Sequence, residues 1–147
     1  MRFWLSILTV LIIDSLTKWW VMGNFVPGQS RPLVDDLMWL TYVHNHGAAF
    51  GILTGQGWFF SIAAIVVITG MVVFHFLYKP DTRLQFYLGL IAGGAMGNLI
   101  DRVRFHHVID FFDLHWWPVF NVADIAIVCG GILLVLYLLR YEETVRK

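Results

Sequence analysis

Four long apolar runs constrain this chain more than any other feature. They cover Phe3–Met22, Gly57–Tyr78, Leu84–Arg102 and Phe120–Arg140. Each is near the roughly 20 residues that cross a ~30 Å hydrocarbon core as a helix. Backbone polar groups cannot stay unpaired in lipid, and a closed barrel would need more strands than the chain offers, so the runs are read as helices. Of the 147 residues, 59% are hydrophobic and 14% charged, whereas a soluble domain is usually about half apolar and about a quarter charged. The expected fold is a mainly α membrane protein: a single integral membrane domain over residues 1–147 with four transmembrane helices. The N-terminal MRFWLSILTVLII resembles a signal peptide, but Asp14, Lys18 and a Trp pair follow it instead of a small-residue cleavage site. An uncleaved first helix is expected.

The flanking charges set an orientation. Arg2, Lys79, Arg83, Arg140, Arg146 and Lys147 fall on one side, and Lys18, Arg31, Arg102 and Arg104 on the other. The first side is read as cytoplasmic, with both termini there. Two segments then lie outside, residues 23–56 and 103–119. In the first, Leu37–Val43 is rich in strand formers, and Pro27-Gly28 and Asp35-Asp36 mark turns, so a small sheet on the outer membrane surface is expected. Trp19, Trp20, Trp39, Trp58, Trp116 and Trp117 fall near the same boundary, where they form an aromatic belt against membrane lipids.

The misplaced polar residues also collect at the outer face: Asp14, Lys18, Asn45, Asn98, Asp101, Arg102, Asp110, Asn121 and Asp124. The cytoplasmic halves of the helices are nearly plain hydrocarbon. Asp14 and Lys18, four apart, share a helix face and can pair, with Lys18 snorkelling to the interface. Asn98 shares a face with Asp101 and Arg102, which suits a network orienting the following loop. Gly89, Gly93 and Gly97 form a small-residue stripe that admits a neighbouring helix closely.

Asp110 and Asp124 stand at the two ends of a short loop between membrane helices, so both lie at one membrane face. Asn121 with Asp124 also reads as a capping box at the start of the last helix. Asp110, however, sits in VIDFF with no base beside it. Two acids close together in apolar surroundings cannot both ionise easily, so one keeps its proton near neutral pH. That is the arrangement of an aspartic protease, one carboxylate accepting a proton from water while the other donates one.

Two other readings compete. His106, His107, Asp110, Asp113 and His115 would suit a metalloprotease, although no HExxH spacing is present and water-facing histidines are the plainer account. Asp14 and Lys18 would suit a proton relay, which requires polar residues continuing to the cytoplasmic side. Cys129, the single cysteine, excludes an internal disulfide and is read as packing. A net charge of zero gives no sign of a nucleic-acid partner.

Taken together, Asp14 and Lys18, Asn45 and Gly47 in NHGAAFG, GNLIDR at Gly97–Arg102, VIDFF around Asp110 and FNVAD at Phe120–Asp124 resemble the bacterial lipoprotein signal peptidases, the signal peptidase II family. The resemblance runs over nearly the whole chain. It implies a catalytic dyad of Asp110 and Asp124, supported by Asp14, Lys18, Asn45, Asn98, Arg102 and Asn121, under a periplasmic β-cradle. It also implies a diacylglyceryl-modified prolipoprotein substrate cut before its lipidated cysteine, inhibition by globomycin, an inner-membrane location, and neither cofactor nor metal. One departure is a short 103–119 loop filled by HWWP.

Overall fold

The computed structural model of the protein describes residues 1–35, 37–47 and 56–145. Asp36 of the expected turn, residues 48–51 of NHGAAFG, and the terminal Arg146 and Lys147 lie outside the described residues. Helices α1 (Arg2–Asn24), α2 (Gly57–Tyr78), α3 (Thr82–Phe105) and α4 (Val122–Val145) frame a three-stranded antiparallel sheet of β1 (Ser30–Val34), β2 (Met38–Asn45) and β3 (Val108–Asp113). The strand expected at Leu37–Val43 is β2, the centre of the order β1-β2-β3. Gly28, at φ 84°, supplies the left-handed turn that feeds β1, a conformation that costs glycine little.

Two expectations need correction. The 103–119 segment is not all loop: α3 runs on to Phe105 and β3 occupies its middle. Ile109 and Phe111 pack with Val21, Phe25 and Tyr42, leaving Asp110 between them on the opposite face of the strand. Second, among the described residues only α1, α2 and α4 are long and apolar enough to cross a bilayer by length and composition. The third run falls short because α3 carries Gln85, four glycines including Gly97, and the Asn98–Arg102 polar end. Its position explains why that is tolerated. Helix α3 contacts all three other helices and buries nine residues, from Leu88 to Asp101, whereas α2 buries only Ile68. A helix wrapped by protein has little need of a lipid-compatible surface.

The outward faces are the reverse of a soluble protein's. Leu5, Leu8, Ile12 and Leu16 of α1 and Ile132, Val135 and Leu139 of α4 are exposed, far beyond the apolar patches that a water-soluble monomer presents. Cys129 is exposed on this surface, not packed inside as expected, because α4 turns Gly130 toward α3 instead.

Glycines hold the helices close. A Cβ on Gly89 would lie 2.6 Å from the Phe3 carbonyl oxygen, and one on Gly93 would lie 3.0 Å from Val10 Cβ. The Gly89-Gly93-Gly97 stripe therefore faces α1, as its spacing suggests. Gly94 and Gly130 do the same between α3 and α4, with a Cβ on Gly94 colliding with the Ala123 carbonyl. A Gly94→Ala change should therefore lower stability by about 1–3 kcal/mol. Gly131→Ala, which meets nothing within 4 Å, should be neutral or gain up to about 1 kcal/mol from helix propensity. Helical circular dichroism on heating in detergent separates the two, and equal melting would contradict this packing.

Candidate active site

The site is built where α3 ends, β3 begins and α4 starts. Its base is an ion cluster. Lys18 Nζ lies 2.8 Å from Asp14 Oδ2 and 2.8 Å from Asp101 Oδ2, and it donates to Asn98 Oδ1 at 3.1 Å. Lys18 is 2% exposed, so it does not snorkel. The two acids and the amide beside it satisfy the ammonium inside the bundle instead.

Each partner of Lys18 then fixes another element. Asp14 Oδ1 accepts the Ala123 backbone N–H at 3.0 Å, tying α1 to the first turn of α4. Asp101 Oδ2 accepts the Ile109 N–H at 3.2 Å, which sets the entry of β3. Asn98 Nδ2 donates to Asp124 Oδ1 at 2.8 Å.

Asn121 joins the two candidate acids. Its Nδ2 donates to Asp110 Oδ1 at 2.7 Å and to Asn98 Oδ1 at 3.0 Å. Its Oδ1 accepts the Asp124 N–H at 2.9 Å, while Asp124 Oδ2 accepts the Asn121 N–H at 3.1 Å. The reciprocal capping box and the carboxylate pair are thus the same residues, and the cap orients Asp124. Backbone pairing of Phe112 with Phe120 closes the intervening loop and returns the chain to α4 beside β3.

Asn45 approaches from the sheet. In the β2–β3 register Asp110 faces Val43, so Asn45 is its diagonal neighbour on the same face. Asn45 Nδ2 donates to Asp110 Oδ2 at 2.8 Å, and its Oδ1 accepts the Gly47 N–H at 3.0 Å. Both Asp110 oxygens are engaged and the residue is 2% exposed. Burial, then the charge of Asp124, push the Asp110 carboxyl up to about 7, against the pull of Asn45, Asn121 and Lys18.

Asp110 and Asp124 line one cavity of about 470 Å³, together with Asn45, Gly47, Asn98 and Arg102. Arg102 donates to the Asn98 carbonyl at 3.4 Å, and its guanidinium lies 5.4 Å from the centre of the Phe60 ring. All ten residues singled out in the sequence therefore meet at one end of the bundle. Sequence reasoning missed Phe60, and also His44 and His46, which flank Asn45 in a motif read only for Asn45 and Gly47. The loop histidines of the metal reading do not converge. His115 lies against Trp39 and His107 stacks on His44, and among the described residues no group of three or more His, Cys, Asp or Glu is arranged to hold a metal ion.

The apolar helices and the buried polar cluster at one end define a helical membrane enzyme. Two solved bacterial membrane enzymes share the fold. One has a TM-score of 0.87 at 33% identity, covering 92% of this chain and 86% of its own. The other has 0.84 at 34%, covering 92% and 90%. The family model for signal peptidase (SPase) II matches residues 6–140. The lipoprotein signal peptidase of Syntrophomonas wolfei is 52% identical over 95% of this chain and 93% of that protein. That of Halothermothrix orenii is 41% identical over 95% and 97%. The chain belongs to the signal peptidase II family, and is a peptidase.

The shared field of the two acids is measurable. The folded protein holds a proton on Asp110 that the unfolded chain has released between the ordinary carboxylate range and about pH 7. Stability from this group therefore falls as pH rises through that window and levels off above it. Asp124→Asn removes a charge that raises the Asp110 value. The infrared carbonyl band of protonated Asp110, identified by its loss in Asp110→Asn, should then vanish at lower pH than in the parent. An unmoved midpoint would show that the carboxylates do not sense each other.

Proposed function

We propose that the protein is an intramembrane aspartic endopeptidase that removes signal peptides from diacylglyceryl-modified prolipoproteins, cutting before the lipidated cysteine. The observation that carries this reading is the joint presence of Asp110 and Asp124 in one cavity, bridged by Asn121. The family of the chain supports the substrate class.

In the reaction, Asp110 acts as the general acid and Asp124 as the general base. Asp124 takes a proton from water as the water oxygen bonds to the scissile carbonyl carbon. Asp110 gives its proton to the carbonyl oxygen. In collapse, Asp124 passes its proton to the leaving amine, the C–N bond breaks, and Asp110 recovers a proton from the diol. The apparent ionisations belong to the pair, not to either residue. Asn98 and Asn121 position the carboxylates, Asn45 and Gly47 hold the sheet side, and Arg102 braces the substrate backbone. Asp14, Lys18 and Asp101 hold these groups in place.

Residues 1–147 act as one integral membrane domain in which α3 lies against the spans α1, α2 and α4, and the sheet is a cradle on the periplasmic surface. The greater count of basic flanks at the end opposite the site supports cytoplasmic termini in a bacterial inner membrane. Below the acids the cavity continues between Ala64 and Val67 of α2 and Ile127 and Val128 of α4, an apolar path for acyl chains from the bilayer. Exposed Trp58, Trp116 and Trp117 ring the site end and suit headgroup depth. Globomycin-type inhibitors would enter the same cavity.

The test is cleavage of a diacylglyceryl-modified precursor by purified protein, with the released peptide weighed by mass spectrometry. Asp110→Asn and Asp124→Asn should each lose at least about a thousandfold in turnover while remaining folded, as loss of acid–base catalysis in a coupled pair implies. A chelator should leave the parent active. Near-normal turnover by Asp110→Asn would remove the dyad assignment.

A further inference from the structure

Three histidines gather behind the sheet side of the site, and neither the reaction nor the ion cluster uses them. His44 is on β2 next to Asn45, and His46 follows Asn45. His107 precedes β3, delivered there by the left-handed turn at His106, φ 63°. The rings of His44 and His107 are stacked, with centroids 3.9 Å apart and planes at 24°. The His46 ring lies 5.3 Å from that of His107. His44 and His107 are half-buried. The stack thus spans β2 and β3 where Asn45 pairs with Val108 and His44 with Ile109. From that point the Asn45 amide reaches Asp110.

Stacked faces present π-surfaces to each other and do not aim nitrogen lone pairs at a common point, so the cluster is suited to sensing protons more than to holding a metal. Neutral imidazoles stack favourably, and two imidazoliums at this separation repel. The surrounding groups add little relief. Tyr42 of β2 shares a hydrogen bond with His44 Nε2 at 3.0 Å and is neutral. From α3, Phe105 lies near the His107 ring. Asp101, the acid that acts on His107, is already bound to Lys18. Exposed His106 and Arg104 at the end of α3 bring no negative charge.

We propose that His44, His46 and His107 form a proton-sensitive brace: uncharged, they hold Asn45 on Asp110, and protonation of the stack parts β2 from β3 there and releases the amide. Burial first, then neighbouring histidines, keep both His44 and His107 below the ordinary imidazole range. The brace is therefore intact at neutral pH and opens in mild acid. Its effect on cleavage rests on the function proposed above, but its effect on Asn45 does not.

The experiment is an NMR titration of the full chain in detergent micelles, following the ring signals of the labelled histidines and the side-chain amide of Asn45. In the parent, the Asn45 amide should shift in step with His44 and His107. In His107→Phe, which keeps an aromatic stack but cannot ionise, that step should be lost, leaving only the change that follows Asp110 itself nearer pH 7. Cleavage at about pH 5.5, relative to neutral, should be about tenfold better retained in His107→Phe. His106→Phe, outside the stack, should behave as the parent. An Asn45 signal that stays fixed while the parent rings titrate overturns the brace, as does an unchanged shift in His107→Phe. An Asn45 shift with no cleavage at any pH supports the brace and removes the functional reading instead.

Discussion

The ammonium of Lys18 is the point on which the structure depends. It is held by two carboxylates and an amide inside a bundle that offers it no water. A buried ion stripped of a partner costs about 3–5 kcal/mol, so the partners are strongly constrained in position. Those partners are also the groups that hold everything else. Asp14 fixes the start of α4, Asp101 fixes the start of β3, and Asn98 reaches Asp124. The charge that needs burial and the geometry that the candidate acids need are therefore met by the same set of bonds.

Close helix approach makes that cluster attainable. Gly97 lies so near Asp14 that an added Cβ would sit 2.6 Å from its carboxylate oxygen. The other stripe glycines bring α1 against α3, and Gly94 and Gly130 bring α4 against α3. In a bilayer there is little hydrophobic force between helices, so such packing together with buried polar bonds supplies the association. Helix α2 buries only Ile68 fully, packs on α3, and contributes Phe60, Ala64 and Val67 as one wall of the cavity.

Much of this was legible in the residues. The bounds of α2 coincide with its apolar run, and those of the other helices fall close to theirs, because lipid demands long uninterrupted segments. Placing the helix ends on two sides was enough to gather Asp14, Asn98, Asp110 and Asp124 at one end. What escaped was set by tertiary contact. VIDFF read as the setting of an acid and not as β3, because its partner strand is more than sixty residues away. Lys18 read as snorkelling because its second carboxylate, Asp101, arrives from another helix. Arg102 was singled out, but its ring partner Phe60 looks like any other apolar residue of a membrane run. Asn121 admitted two readings, cap and dyad support, and the geometry satisfies both at once.

The division of the Asp14 carboxylate between two helices bears on how the chain is made. One oxygen meets Lys18 a turn further along α1, so the first helix brings a self-neutralised pair into the bilayer during synthesis. The other oxygen accepts from Ala123, which is translated more than a hundred residues later. A chain arrested before its last helix leaves this acceptor, and the Asn98 amide that meets Asp124, without their α4 partners.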